Sequence, residues 1–278
     1  SRDIAKGINS MKNIKVSLIQ SSLFWENPQR NLEHFHEVIA KLPKTDLILL
    51  PEMFSTGFTM HSSRLAEQME GPSMQWMHEQ AEKKKAVICG SLIIQKGKEY
   101  YNRLIWMQAN GQYTHYDKRH LFRMANENQY FDAGSKRIIV ELKGWKICPL
   151  VCYDLRFPVF SRNTFETDKE TYVEPAYDLL IFVANWPEAR IQAWEKLLYA
   201  RAIENQSYVV GLNRIGKDGK NISYNGNSMV IDAKGNSIWK AEDYAEASET
   251  ITLSKKALDD FRLKFPVGMD ADSFDLKA

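Results

Sequence analysis

Cysteine is scarce in this chain of 278 residues: Cys89, Cys148 and Cys152 make three, an odd number that excludes a closed disulfide framework and fits a reducing compartment. Glycine (14) and proline (9) are too few for a fibrous or low-complexity chain, and 12% aromatics is too many for a disordered one. Neither sign of charge dominates. Lys plus Arg number 37 against 35 Asp plus Glu, a net charge of +2, which is not the basic footprint of a nucleic-acid binder. The longest apolar run, Leu179 to Ala184, falls far short of the ~20 residues a membrane helix requires. Ser1 to Ser10 mixes charge with glycine and lacks the apolar segment of a signal peptide. The expectation is a folded cytoplasmic protein that binds neither nucleic acid nor membrane.

What is present is a core-forming composition, 44% apolar with 26% charged residues. No linker or charge block divides it, so residues 11–278 read as one domain, with residues 1–10, ahead of Met11, as an extension. Ile14 to Gln20 is a β-branched run, and Asn27-Pro28 then reads as a helix cap with proline at the first helical position. Leu32, Phe35, Val38, Ile39 and Leu42 recur at helical spacing. Strands follow at Leu47 to Leu50, Ala86 to Gln95, Arg103 to Gln108 and Gln112 to Asp117, the last two joined by the hairpin signal Asn110-Gly111. A helix opens at Gly71-Pro72-Ser73 and closes in Lys83-Lys84-Lys85. The second half predicts strands over Lys136 to Val140, Lys146 to Tyr153, Tyr177 to Ala184, Tyr208 to Asn213, Asn227 to Asp232 and Ser237 to Trp239, with a helix from Ile191 to Asn205. Strands alternating with helices, with hairpins between them, indicate an α/β fold with mixed sheets.

Reactive groups in α/β proteins stand where strands end. Glu52 follows Leu47 to Pro51, Lys118 follows the hairpin strand, and Cys152 follows Ile147 to Val151. A carboxylate, an ammonium and a thiol converging from separate strands make a nucleophile with a base and a cation beside it, the parts of an acyl-transfer site. Each has a plain structural alternative. A free cysteine is commonly a small buried hydrophobe, as Cys89 and Cys148 read, and Glu52 and Lys118 could face water. The pairs Cys148/Cys152 and His115/His120 do not have the spacing of a tetrahedral zinc site, and Gly216 to Lys220 is not a phosphate-binding loop.

The local motifs are more specific than the single residues. Leu49-Leu50-Pro51-Glu52-Met53-Phe54, Tyr116-Asp117-Lys118-Arg119-His120-Leu121-Phe122 and Val151-Cys152-Tyr153-Asp154-Leu155-Arg156-Phe157-Pro158 occur in the order characteristic of the nitrilase (carbon-nitrogen hydrolase) superfamily. The resemblance continues in Ala184-Asn185-Trp186-Pro187, Arg201 to Gln206 and Gly226-Asn227-Ser228, and covers about Ile14 to Leu253. It implies a four-layer α-β-β-α sandwich, a Glu52-Lys118-Cys152 triad, a second glutamate for which Glu127 is the candidate, no metal or organic cofactor, and a homodimer or higher homo-oligomer. Pro51 to Phe58, Cys152 to Asn163 and Phe265 to Phe274 are most similar to the bacterial omega-amidase branch, whose substrates are terminal amides of 2-oxo acids.

The resemblance therefore implies a small-molecule amide and water as the reaction partners. In this reading Glu52 takes the Cys152 proton, Lys118 and the Tyr153 backbone N–H stabilise the oxyanion, and a thioester is hydrolysed. Phe58 and Trp186 would wall the pocket. A cation should meet the substrate carboxylate; Arg119 is taken for that role among Arg119, Arg123, Arg156 and Arg190, while Arg156 is expected to pair locally. Other reactions of the superfamily (deaminated-glutathione amidase, carbamoylase, nitrilase) and a non-catalytic interaction protein with the same fold remain the alternatives.

Overall fold

The computed structural model describes residues 13–165 and 170–277; the expected extension over residues 1–10 lies outside them. Period-two alternation sorts the strand residues between two interiors. In β2 (Leu47–Leu49), Leu47 and Leu49 join one apolar cluster while Ile48 and the following Leu50 join another. The first cluster spans the gap between two sheets and continues through the second of them to its outer face, and the second lies under α1 (Pro28–Ala40) and α2 (Pro72–Lys84). The strand is buried on both faces, which is why it is uniformly apolar.

One sheet has six strands in the order β14-β1-β2-β3-β4-β5, with β1 (Ile14–Gln20), β2 and β3 (Val87–Lys96) parallel. Its antiparallel strands are β4 (Glu99–Met107), β5 (Tyr113–Asp117) and β14 (Ala247–Leu253). The other runs β13-β12-β9-β8-β7-β6 around parallel β7 (Trp145–Val151), β8 (Leu179–Ala184) and β9 (Tyr208–Asn213), flanked by β6 (Val140–Leu142), β12 (Met229–Ile231) and β13 (Ser237–Lys240). On the outer face of this second sheet, α3 (Ile191–Asn205) packs Trp194, Leu198 and Ala202. Gly211 of β9 permits that approach: a Cβ there would lie 2.6 Å from Leu198 Cδ1 and 2.8 Å from Trp194 Cζ2. The layers are α-β-β-α with mixed sheets, as expected. Among the described residues no helix is long and apolar enough to cross a membrane.

Local signals hold where they were specific. The Asn27 side chain accepts from Arg30 N at 3.1 Å with Pro28 at the helix start, and Gly111 turns the β4–β5 hairpin at φ +84°. The strand expected over Lys136 to Val140 instead begins at Val140. Arg137 is drawn away from the sheet, its Nη1 donating to the carbonyls of Phe160 (3.1 Å) and Arg162 (2.7 Å). Several elements had no forecast, among them the ribbon of β10 (Ile215–Lys217) with β11 (Ser223–Asn225), the edge strand β14, and α4 (Lys255–Lys264). Helix α4 is capped by the Ser254 hydroxyl, which accepts from Ala257 N, and is pinned to β8 by Arg262 on buried Asp178 at 2.7 Å.

Candidate active site

The carboxyl ends of parallel strands from the two sheets face one another, and the polar residues that follow them meet there. Glu52 comes from the turn after β2, Lys118 directly after β5, Cys152 directly after β7 and Asn185 directly after β8. Glu52, Lys118 and Glu127 are buried, and their side chains form one cluster. Lys118 Nζ donates to Glu52 Oε2 at 2.8 Å and to Glu127 Oε1 at 2.9 Å. Asn102 Nδ2 donates to both carboxylates, at 2.8 Å to Glu52 Oε2 and 3.1 Å to Glu127 Oε2. Glu127 Oε1 also accepts from Phe122 N at 2.7 Å, and Glu52 Oε1 from Asn185 N at 3.1 Å.

Cys152 has φ +44°, a left-handed conformation that a non-glycine residue adopts only when its surroundings impose it. Buried Asp154 braces the turn. One of its oxygens accepts from Val151 N at 3.0 Å and Tyr116 Oη at 2.7 Å, the other from His120 N at 3.1 Å and His120 Nδ1 at 2.8 Å. Asp154 thus ties the Cys152 turn to the segment Tyr116–His120 that carries Lys118.

Burial, followed by the negative charge of Glu52, raises the Cys152 thiol well above its ordinary value, while Lys118 opposes both. The resting sulfur is therefore a thiol and not a thiolate. Burial would lower the Lys118 ammonium, but Glu127 and Glu52 outweigh it and hold the group above its ordinary value, a permanent cation. Burial raises the Glu127 carboxyl, with Lys118 pulling the other way and Glu52 adding to the rise.

The cluster opens on a cavity of about 280 Å³ to which Cys152, Lys118, Phe58, Tyr153, Trp186 and two arginines contribute. The arginines are Arg156 and Arg190. Arg156 does not pair locally: its guanidinium carbon lies 5.0 Å from the centre of the Trp186 ring. Arg190 lies 5.6 Å from the centre of the Phe122 ring, and among the described residues neither arginine pairs with a carboxylate. Arg119 is not brought to the cavity. Its Nη1 donates to the Ser135 carbonyl at 2.9 Å and its guanidinium faces Phe160, because successive residues leaving β5 point to opposite sides and Lys118 takes the inner one. The sequence reading missed Asn102 and Asp154. Neither had a local signal: Asn102 stands between Tyr101 and Arg103 at the polar start of β4, and the partners of Asp154 are remote in the chain.

A model of the carbon-nitrogen hydrolase family matches residues 15–258. The chain belongs to that family. It is a hydrolase acting on non-peptide carbon–nitrogen bonds. Over 266 residues it is 42% identical to the omega-amidase YafV of Escherichia coli, covering 96% of this chain and all of that one. It is 30% identical over 260 residues to the 2-oxoglutaramate amidase of Bacillus subtilis, covering 89% of this chain and 97% of the relative. A crystal structure of a carbon-nitrogen hydrolase superfamily protein from Xanthomonas campestris, with an arsenic adduct in its active site, superposes with a TM-score of 0.91 at 43% identity, covering 95% of this chain and 99% of that one. This carbon-nitrogen hydrolase is an amidohydrolase of the nitrilase superfamily.

Proposed function

We propose that this carbon-nitrogen hydrolase cleaves the terminal amide of small 2-oxo acid amides, such as 2-oxoglutaramate and 2-oxosuccinamate, to the acid and ammonia through a thioester on Cys152. The observation that carries the reading is the Glu52–Lys118–Cys152 cluster at the base of a cavity of about 280 Å³ that also presents Arg156 and Arg190 without carboxylate partners. Such a volume suits a small acid, and a guanidinium is the group that binds a carboxylate with two parallel hydrogen bonds. The printed names of the relatives above support the same substrate class.

The chemistry follows from the charges. Glu52 accepts the Cys152 proton as sulfur attacks the amide carbon, so no free thiolate need accumulate beside a carboxylate. The oxyanion is stabilised by Lys118 Nζ and the Tyr153 N–H, which lies in the first turn of the short helix Cys152–Arg156 and has no helical acceptor. Glu52 returns the proton to nitrogen, the carbon–nitrogen bond breaks and ammonia leaves. Water, deprotonated by Glu52, then attacks the thioester and releases the acid with the thiol restored. Glu127 accepts from Lys118 throughout and holds its ammonium in place.

Ammonia release from 2-oxoglutaramate is the test, run beside Cys152→Ala and against glutamine, a simple nitrile and a carbamoyl amino acid. Release confined to the 2-oxo acid amide and abolished in Cys152→Ala is the expected result. Turnover of another panel member instead would keep the nucleophile and overturn the substrate.

A further inference from the structure

Asn102 is the one member of the buried cluster with an unspent polar atom. Its Oδ1 is buried with no hydrogen-bond partner, although its Nδ2 reaches two carboxylates. Turning the amide over would give that oxygen no better partner, since it would then face two carboxylate oxygens. A buried acceptor without a donor destabilises a fold, and an apolar side chain in β4 would remove the defect. Its retention is accounted for by what the nitrogen does. Glu52 and Glu127 bring two carboxylates to a single ammonium, Lys118, and both Oε2 atoms converge on the Asn102 amide. A second cation there would satisfy both acids at the cost of a further full charge beside the base; a neutral donor satisfies both without adding one. The Asn102 carbonyl also accepts from Lys118 N at 3.0 Å, so the same residue sets where the ammonium leaves the strand.

We propose that Asn102 is a positioning residue of the hydrolysis, bridging Glu52 and Glu127 so that Glu52 is held where it takes the Cys152 proton. The proposal rests on the thiol mechanism above. Asn102 does not contribute to the cavity wall, so its effect belongs to the turnover step and not to substrate binding.

Two variants test it, Asn102→Leu, which removes the donor, and Asn102→Asp, which keeps the size and adds a third carboxylate to one ammonium. In both, the carboxylate pair holds a proton to higher pH, so the acid limb of the pH profile of kcat/KM for 2-oxoglutaramate moves upward by about one unit or more, further for Asn102→Asp. On the acid side of the limb kcat falls about tenfold for each unit of the shift, with KM unchanged. The same limb is read without any substrate from the pH dependence of Cys152 alkylation by iodoacetamide, followed by mass spectrometry. Circular dichroism reports whether each variant folds, and Asn102→Asp serves if Asn102→Leu does not. A loss of kcat equal at every pH, with the limb unmoved in both readouts, overturns the role of Asn102 and leaves it structural. Activity retained in Cys152→Ala overturns the thiol mechanism itself, a different result.

Discussion

At the scale of single residues, the three cysteines differ only in what surrounds them. Cys89 and Cys148 lie in the core between the sheets, where burial raises both thiols, that of Cys148 to about 12, while Cys152 reaches a cavity and has Glu52 beside it. Iodoacetamide at neutral pH is therefore expected to label Cys152 well before the other two, as read by peptide mass spectrometry; equal labelling would count against an activated thiol. Lys118→Met keeps the length of the side chain and removes the ammonium from between two carboxylates. Loss of one oxyanion donor costs about 3 kcal/mol of transition-state stabilisation, so kcat should fall by at least about 10²-fold in steady-state kinetics. The acid limb of the wild-type profile should lie above the ordinary carboxylate value of about 4.3, because burial raises the Glu127 carboxyl.

At the scale of elements, the site is a junction between β5 and β7, strands of different sheets, and Asp154 is the clasp. Its two oxygens satisfy four donors, one from β7 and three from the β5 side: Val151 N and Tyr116 Oη on one oxygen, His120 N and Nδ1 on the other. Asp154→Asn replaces one of those acceptors by an NH₂ that faces donors. The Cys152 turn and the Lys118 segment should then drift relative to each other, lowering kcat by about 10²-fold with KM little changed, since misplacement by about 1 Å is enough for that loss. A matched fall in kcat and rise in KM would indicate a general loosening of the cavity instead.

At the scale of the whole molecule, the C-terminal helix is held by charge at the far end of the second sheet. Asp178, fully buried before β8, accepts from Arg262 Nη1 at 2.7 Å and Lys146 N at 2.9 Å, and pairs with Lys255 at 3.6 Å. Asp178→Ala leaves buried Arg262 without its acid, while Lys255 keeps Asp259 at 2.6 Å, and should lower stability by about 3–5 kcal/mol in urea denaturation, with kcat of the surviving folded fraction intact. The ion-pair partners sit 84 and 77 positions apart from Asp178 or closer in space than in chain, and only the closed sandwich unites them.

The sequence by itself determined the strands that are apolar throughout, the helix caps and hairpin turn, and the order of Glu52, Lys118 and Cys152 at strand ends, because alternation, proline and glycine act within a few residues. Weakly patterned elements escaped it. Strand β14 reads Ala-Ser-Glu-Thr-Ile-Thr-Leu, an edge whose outward side faces water, and β10 and β11 are too short to show a period. Tertiary structure alone decided which charged residue of Lys118-Arg119 turns inward, that Arg156 and Arg190 and not Arg119 face the cavity, and that Asn102 and Asp154 belong to the site. Those choices depend on the direction of each side chain and on partners brought from other strands, and a hydrogen bond between strands leaves no local trace in either segment.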